Sequence, residues 1–171
     1  RVGRMGASDA AAALGLSPYR TAWELWAEKT GRLEPASGSE ATRMGQRLEA
    51  TILDVAEAEL GPLERNQLVF APHVDFPLAA TLDARIESTG VPVEAKTSGI
   101  VGPVYGEWGE PETDVIPAAY LVQAVVQLIC TEAEFAHVYA LLGSRGIVRY
   151  RVLRDEQVAA AVAKAEAELG G

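Results

Sequence analysis

The sequence predicts one mixed α/β (α+β) domain over residues 1–171, with a central mixed β-sheet flanked by helices. A chain of 171 residues can bury a substantial core, and its 49% apolar and 23% charged residues are ordinary for a globular protein. Hydrophobic periodicity places three helices first, followed by three strands, a helix, two strands and a final helix. That order is typical of a mixed sheet wrapped by helices.

The N-terminal region predicts two short helices that pack on the core. Ser8 is the expected N-cap of an alanine-rich helix that stops at Gly15, and Thr21 caps a second helix over residues 22–30. Cationic and hydroxyl side chains lie at these helix starts and turns, where backbone N–H groups favour an anion. They are Arg1, Arg4, Ser8, Ser17 and Arg20. Two interpretations stay open: a phosphate site, or ordinary features of two packed helices.

A longer helix is predicted from Ser39 to about residue 60, with an apolar stripe at i, i+4, i+8 spacing. The stripe consists of Met44, Leu48, Ile52, Val55 and Ala56. Glu49 lies beside the stripe, which places a carboxylate at the edge of the buried face. A solvated surface position is the open alternative for Glu49.

Three strands are predicted next, over residues 67–70, 78–86 and 91–96, and their alternation and turn lengths favour antiparallel pairing. The following stretch, residues 98–115, is rich in glycine, proline and acidic residues and has no period. Because it is long for a connection inside a compact domain, it favours a functional loop or a lid.

A mostly buried helix is predicted to begin at Pro117. Tyr120, Gln123 and Gln127 fall at i, i+3 and i+7, so they form a polar stripe on an otherwise apolar cylinder. Buried amides need hydrogen-bond partners, which either neighbouring backbone or a functional site could supply. The fold is then completed by two strands and a helix, over residues 135–142, 147–153 and 155–170.

Charged side chains occur together on the second and third predicted strands, as Asp83 followed by Glu94 and Lys96. Because side chains alternate along a strand, Glu94 and Lys96 point the same way and Ala95 points to the other face. If the strands pair, Asp83 lies beside them. Two carboxylates and an ammonium group could hold a divalent metal and a hydrolytic water. The alternative is a surface salt bridge on a solvated sheet face.

Charge and composition limit the other possibilities. The net charge of −9 argues against nucleic-acid binding by bulk attraction, although it fits a protein that needs a divalent cation before it tolerates phosphate. One cysteine, Cys130, and two histidines exclude a disulfide framework and argue against a Cys/His zinc site. With no signal-like segment and no apolar run long enough to span a bilayer, a cytoplasmic protein without membrane partners is expected.

Four separate pieces of the chain, taken in order, resemble the YqaJ-like viral recombinase family. This family is the branch of the PD-(D/E)XK nucleases that includes the phage lambda exonuclease. The pieces are MGASDA and LGLSPY with ELW and KTG near the N-terminus, GQRLE on the third helix, Asp83 with EAKT, and IPAAY with Gln123. The resemblance covers nearly the whole chain, and it implies a restriction-endonuclease-like core.

The resemblance also implies a role for each residue of the charged cluster. Asp83 and Glu94 would be metal-binding carboxylates, with the backbone carbonyl of Ala95 as a further ligand. Glu49 would complete a second cation position, and Lys96 would orient and activate the attacking water. The implied cofactor is Mg²⁺, or Mn²⁺, bound as two ions. One departure from the family pattern is that leucine, where proline is common, precedes the first acid.

A site for DNA ends is implied in the same way. Tyr120 and Gln123 match the helical motif that lies beside the active site in the family. The residues at positions that correspond to the family's 5′-phosphate pocket are Arg1, Ser8, Thr81 and Gln123. The implied activity is a metal-dependent 5′-to-3′ exonuclease of phage or prophage origin that degrades one strand of linear duplex DNA. It would leave single-stranded DNA for an annealing protein in a bacterial host cell, and a ring-like trimer is implied by the resemblance alone.

Two rival functions stay open at this point. One is an endonuclease or nickase built on the same core. The other is a non-catalytic DNA-binding or assembly module, which the acidic charge favours and the intact Asp83, Glu94 and Lys96 argue against.

Overall fold

A six-stranded mixed sheet flanked by helices forms the centre of the protein in a computed structural model that describes residues 5–35, 37–72, 78–99 and 105–170. The predicted fold class is therefore confirmed. The strands are β1 (Met5–Gly6), β2 (Leu63–Phe70), β3 (Leu78–Ile86), β4 (Pro92–Ser98), β5 (Phe135–Leu142) and β6 (Ile147–Leu153). The helices are α1 (Ala7–Ala13), α2 (Ala22–Lys29), α3 (Glu40–Leu60), α4 (Ala118–Thr131) and α5 (Glu156–Gly170).

Strand β3 organises the sheet because three other strands pair with it. The antiparallel strand β2 follows one edge of β3, from Leu63 opposite Ile86 to Phe70 opposite Ala79. Along the other edge, β1 pairs in parallel with the first two residues of β3, and β4 pairs antiparallel near its end. Beyond β4 come β5, which is parallel to it, and β6, which is antiparallel to β5. Helix α4 makes the crossover that the parallel β4–β5 pair requires.

The start of the chain differs from the prediction in two ways. The short strand β1 was not predicted, because two residues carry no periodic signal. Helix α1 begins after Gly6, not after Ser8. The carboxylate of Asp9 accepts a hydrogen bond from the Gly6 N–H at 3.0 Å, so the terminus is satisfied two residues earlier. Ser8 lies in the first turn of α1 and is exposed.

The second and third helices begin where their caps predict. Thr21 Oγ1 accepts from the Glu24 N–H, and the Glu24 carboxylate accepts from the Thr21 N–H at 2.8 Å, which makes a capping box. Ser39 caps α3 in the same way through the Thr42 N–H. The apolar stripe of α3 is only partly confirmed: Ile52 is buried, whereas Met44 is 44% exposed. The C-terminal half of α3 packs on the sheet and most of its N-terminal half faces solvent.

The side chains of β3 change sides of the sheet in the middle of the strand. Alternate residues from Leu78 to Leu82 belong to the larger core cluster, which contains residues of α1, α4 and α5. Ala84 and Ile86 have the same parity, yet they belong to the smaller cluster under α3. The change occurs at Asp83. Its partner position on β2 is Asn66, which has a left-handed φ of 56° and is skipped in an otherwise continuous register.

The described part of the long connection before α4 is packed, which is not what a lid requires. A 3₁₀ turn covers Tyr105–Glu107, and the buried Trp108 follows it. The Glu112 N–H then donates to the Arg149 carbonyl at 2.9 Å, and the Arg151 N–H donates to the Thr113 carbonyl at 3.1 Å. These bonds cover the outer edge of β6, which would otherwise be an open sheet edge.

Helix α4 begins one residue later than predicted, because Pro117 is its N-cap. None of the helices within the described ranges is long and apolar enough to cross a membrane.

Candidate active site

Asp83 lies where β3 and β4 separate. The two strands pair at Ala84 with Val93 and at Arg85 with Pro92, and no ladder pair follows. Instead, the Ala95 N–H donates to Asp83 Oδ2 at 2.8 Å, so a side chain takes the place of a backbone acceptor. The prediction that strand pairing brings Asp83 beside the next strand is confirmed. The break in alternation at Asp83 turns its carboxylate into this gap.

Glu94 and Lys96 point to the same side of β4, as their spacing predicts. Lys96 Nζ donates to Glu94 Oε1 at 2.5 Å, and the Glu94 side chain is 3% exposed. The ammonium group also lies 4.8 Å from the centroid of the Tyr120 ring. A carboxylate that is this buried does not belong to a solvated sheet face, so the surface salt-bridge alternative is wrong.

The amide stripe of α4 contacts this pair. Gln123 Nε2 donates to Glu94 Oε1 at 2.7 Å, and Gln123 Oε1 accepts from Lys96 Nζ at 2.9 Å. One turn further on, Gln127 Nε2 donates to Glu94 Oε2 at 2.5 Å. Both amide N–H groups thus donate to the Glu94 carboxylate of β4, not to neighbouring backbone. Gln127 was absent from the predicted site, although its spacing from Gln123 could have indicated it.

The acidic groups in this site exceed the positive charge available to them. Burial and the charge of Glu94 raise the pKa of Asp83 to about 8, and Glu49 adds to the effect. Lys96 and the Ala95 N–H oppose this shift without cancelling it. Such a site favours a further positive charge beside Asp83.

Two other candidate residues take part in the packing of the N-terminal helices. Ser17 Oγ accepts hydrogen bonds from the backbone N–H groups of Tyr19 and Arg20, each at 3.2 Å. The guanidinium of Arg20 binds Asp9 at 2.6 Å and Glu28 at 2.7 Å. Both residues therefore have structural partners, which sequence spacing alone does not indicate.

The other candidate phosphate ligands are placed only in part. Thr81 is exposed on β3, two residues before Asp83, and Ser8 is exposed on α1. Arg1 and Arg4 lie outside the described residues.

The chain matches one known family over most of its length. The model of the YqaJ-like viral recombinase domain matches residues 1–134. The chain belongs to this family. The YqaJ-like domain is 30% identical over 168 residues to "Uncharacterized protein YqaJ" of Bacillus subtilis (strain 168), a match that covers 96% of the domain and 51% of that protein. The chain therefore spans about half the length of this relative.

Solved structures share the fold of the YqaJ-like domain. An alkaline exonuclease (LHK-Exo) from Laribacter hongkongensis matches with a TM-score of 0.70 and 19% identity, covering 99% of the domain and 89% of that chain. A phage related exonuclease from Haemophilus somnus 129PT matches with a TM-score of 0.71 and 13% identity, covering 99% and 94% of the two chains. At these identities the likeness shows the fold.

The oxygen atoms of Asp83, Glu94 and the Ala95 carbonyl are suitable ligands for one divalent cation. Glu94 accepts three hydrogen bonds, and an ionised carboxylate offers about four lone-pair positions, so Oε2 keeps one free. Asp83 and the Ala95 carbonyl are hard oxygen ligands of the type that Mg²⁺ prefers. Mg²⁺ needs only one or two carboxylates, because waters and substrate phosphate complete its shell.

Glu49 does not join these two carboxylates in a preformed metal cluster. It is half-buried on α3, near enough for its charge to act on Asp83. Across the parts of the chain that the structure describes, however, no three His, Cys, Asp or Glu side chains are grouped to hold a metal. The expected second cation position is thus not preformed.

A group of aromatic side chains adjoins the site through Tyr120, whose ring lies beside Lys96. The Trp108 ring lies 5.7 Å from that of Tyr120 and 5.3 Å from that of Tyr150. Burial and a hydrogen bond with Tyr19 raise the pKa of the Tyr120 hydroxyl. Neither Tyr19 nor Trp108 was predicted at the site, because nothing in their local sequence spacing links them to α4.

Proposed function

We propose that this domain is a divalent-metal-dependent exonuclease that degrades one strand of linear duplex DNA from the 5′ end. The product would be single-stranded DNA for an annealing protein in phage-type recombination. Membership of the YqaJ-like family and a fold shared with exonucleases support this proposal. The observation that carries it is the buried group in which Lys96 contacts both Glu94 and Gln123 beside Asp83.

Each residue of this group has a separate role in the proposal. Asp83, Glu94 and the Ala95 carbonyl would hold Mg²⁺ or Mn²⁺, which supplies charge neutralisation at the phosphate and acidifies a bound water. Lys96 would orient the attacking water and stabilise negative charge on the scissile phosphate as a compact cation. Gln123 Oε1 accepts a hydrogen bond from the Lys96 ammonium at 2.9 Å, which would favour its orientation toward the site. Glu49 would join a second cation once substrate is bound.

The 5′-phosphate of the terminal nucleotide would be bound at a second position, away from the phosphodiester bond that is cleaved. Thr81 is on the same strand as Asp83 and would offer a hydroxyl, while Arg1 and Ser8 would add charge and a second hydroxyl. Such donors make charge-assisted hydrogen bonds to phosphate. Tyr120 lies beside Lys96, and Arg4 would act with Arg1. Engagement of the terminal phosphate would make the enzyme act from ends.

The test uses linear duplexes that carry either a 5′-phosphate or a 5′-hydroxyl, with Mg²⁺ or with chelator. Rapid loss of the strand with the 5′-phosphate in Mg²⁺ is the expected result. Equal digestion of both substrates contradicts the phosphate site, and digestion in chelator contradicts the metal requirement.

Covalently closed circular DNA separates the exonuclease from an endonuclease or nickase. An exonuclease that requires a DNA end leaves the circle intact, so nicking of the circle would favour an endonuclease or nickase. If neither substrate is cleaved but both are bound, the domain is a DNA-binding module.

The proposed assembly is a ring-like trimer in the bacterial cytoplasm. A ring would keep the enzyme on its DNA track, and light scattering in solution tests it directly. A molar mass of one chain, about 18.2 kDa, would reject the ring.

A further inference from the structure

Gln127 holds the Glu94 carboxylate from inside the core. It has no exposed surface, and its Nε2 lies 2.5 Å from Glu94 Oε2. Gln123 donates to the other oxygen of the same carboxylate at 2.7 Å. Residues four apart lie on one face of a helix, so α4 presents both amides to one carboxylate. Each oxygen of Glu94 therefore has its own amide donor.

Core packing alone does not account for an amide at this position. Among the described residues, Gln127 Oε1 has no hydrogen-bond partner. A buried carbonyl oxygen without a partner costs free energy, which an apolar side chain of similar volume would avoid. The neighbours Val126 and Leu128 are apolar and equally buried. The N–H bond to Glu94 is the contact that distinguishes Gln127 from them.

The hydrogen bonds also leave the two Glu94 oxygens unequal. Oε1 accepts from Lys96 and from Gln123, which occupies both of its lone pairs. Oε2 accepts from Gln127, so one lone pair remains on it. Rotation of the carboxylate out of this orientation would break all three hydrogen bonds. Gln127 is the donor that holds Oε2, the oxygen with the remaining lone pair.

We infer that Gln127 is a positioning residue that fixes the Glu94 carboxylate so that Oε2 can bind a divalent cation. This inference rests on the proposed function, since it concerns the cation of the same site. Gln127 itself touches neither substrate nor cation. Its effect acts through Glu94, as expected for a residue that orients a metal ligand.

The experiment measures Mn²⁺ binding by calorimetry in the absence of DNA. In Gln127→Met the volume is nearly kept and the donor is lost, so the Kd for Mn²⁺ should rise by about 10- to 100-fold. Leu128→Met, an equally buried substitution at the next position of α4, should bind Mn²⁺ like the wild type. Circular dichroism and thermal melting establish that each variant is folded.

A second variant covers the case in which Gln127→Met does not fold. Gln127→Asn keeps the amide but is shorter by one methylene, so it should also weaken Mn²⁺ binding. Unchanged Mn²⁺ affinity in a folded Gln127 variant overturns the inference and leaves the proposed nuclease standing. If the Gln127 variants lose Mn²⁺ affinity while the wild type binds Mn²⁺ but cleaves no DNA, the inference stands and the proposed nuclease is rejected. Failure of the wild type to bind Mn²⁺ without DNA overturns the inference, and cleavage of linear duplex in Mg²⁺ or in chelator then decides the proposed function separately.

Discussion

Asp83 is an acid that folding moves away from water and next to a second acid. Burial and the charge of Glu94 raise its pKa to about 8, against an ordinary value of 3.8. Between these two values the folded chain holds a proton that the unfolded chain has lost. The folded state is then favoured less as pH rises, because the unfolded state binds fewer protons than the native state. In the absence of a cation, Asp83 thus destabilises the fold at neutral and alkaline pH.

Asp83→Asn should therefore stabilise the cation-free protein. Asparagine is neutral and can still accept a hydrogen bond from the Ala95 N–H, so the free energy of unfolding should rise by about 1 kcal/mol or more at pH 8. The gain in stability should shrink toward pH 5, because Asp83 of the folded wild type is protonated there and is then neutral like asparagine. Urea denaturation in chelator across this range measures it. A gain that does not vary with pH would contradict this account of Asp83.

Lys96→Ala should keep the fold and lose DNA cleavage. Among the described residues, this ammonium group is the positive charge closest to Glu94, and its loss should lower the cleavage rate by about 100-fold or more. Gel assays on linear duplex in Mg²⁺ measure the rate, with circular dichroism to check folding. Lys164→Ala, on the exposed face of α5, is the matched control and should cleave normally. Cleavage at the wild-type rate by Lys96→Ala would reject the proposed centre.

At the scale of elements, one buried acid joins the two N-terminal helices. Asp9 on α1 binds Arg20 at 2.6 Å and Lys29 of α2 at 2.7 Å, and it also accepts from the Gly6 N–H. Burial alone would raise the pKa of Asp9, but hydrogen bonds from Lys29, Gly6 and Arg20 outweigh it and lower the pKa below 3.8. The stability contributed by Asp9 is complete above about pH 4 and is lost as the pH falls through the lowered pKa.

Asp9→Asn should lower the free energy of unfolding by about 2 kcal/mol at pH 7. This is less than the cost of removing one partner from a fully buried ion pair, because Arg20 is 26% exposed. The difference from wild type should narrow below about pH 4. Denaturation curves at pH 3 and pH 7 test this. Asp54→Asn, which removes an exposed partner of Arg65, should have little effect at either pH. An Asp9→Asn defect of equal size at both pH values would contradict the charge-based explanation.

The segment that covers β6 depends on a close approach at Gly109. A Cβ atom added there would lie 2.5 Å from Val115 Cβ and 2.8 Å from its Cγ1. The Gly109 carbonyl also accepts hydrogen bonds from Tyr150 and Arg145, each at 2.9 Å. The segment therefore has little room to adjust.

Gly109→Ala should lower the free energy of unfolding by about 1–3 kcal/mol, as overpacking does in other tightly packed positions. Denaturation followed by tryptophan fluorescence would report both the loss of stability and any displacement of the nearby Trp108. Gly106→Ala is the control, because an added Cβ there meets nothing within 4 Å. Equal stability of the two variants would show that the segment adapts.

At the scale of the whole molecule, the fold collects excess negative charge in one site of a chain whose net charge is −9. Neither Lys96 nor its neighbours neutralise Asp83 fully. A cation that binds the native state and not the unfolded state stabilises the whole domain. Cation binding and global stability are therefore expected to be linked.

Mg²⁺ should raise the thermal midpoint of the wild type. At a concentration 100 times the Kd, the gain is about 2.7 kcal/mol, which corresponds to roughly 5–10 °C for a domain of this size. Differential scanning fluorimetry at pH 8, with Mg²⁺ or with chelator, measures the shift. Asp83→Asn should lose most of it, whereas Asp54→Asn should retain it. A midpoint that is the same in Mg²⁺ and in chelator would argue against a cation site.

The sequence by itself determined most of the elements and the polar residues that they carry, but not the two-residue strand β1 or the first half of β2. The β3, β5 and β6 bounds agree with the prediction, because alternation and turn residues are local signals. The caps Thr21 and Ser39 were predictable for the same reason. Alternation also placed Glu94 and Lys96 on one face, and helical spacing gave the amide stripe of α4.

Tertiary structure decided which of these groups meet. The change of side at Asp83 depends on Asn66 of the neighbouring strand, and the partners of Gln127 depend on how α4 crosses the sheet. The pairing of Arg20 with Asp9 and the raised pKa of Asp83 likewise arise from residues distant in the chain. Periodicity shows which way a side chain faces on its own element. It does not fix the distance to another element, and hydrogen bonds, burial and charge depend on that distance.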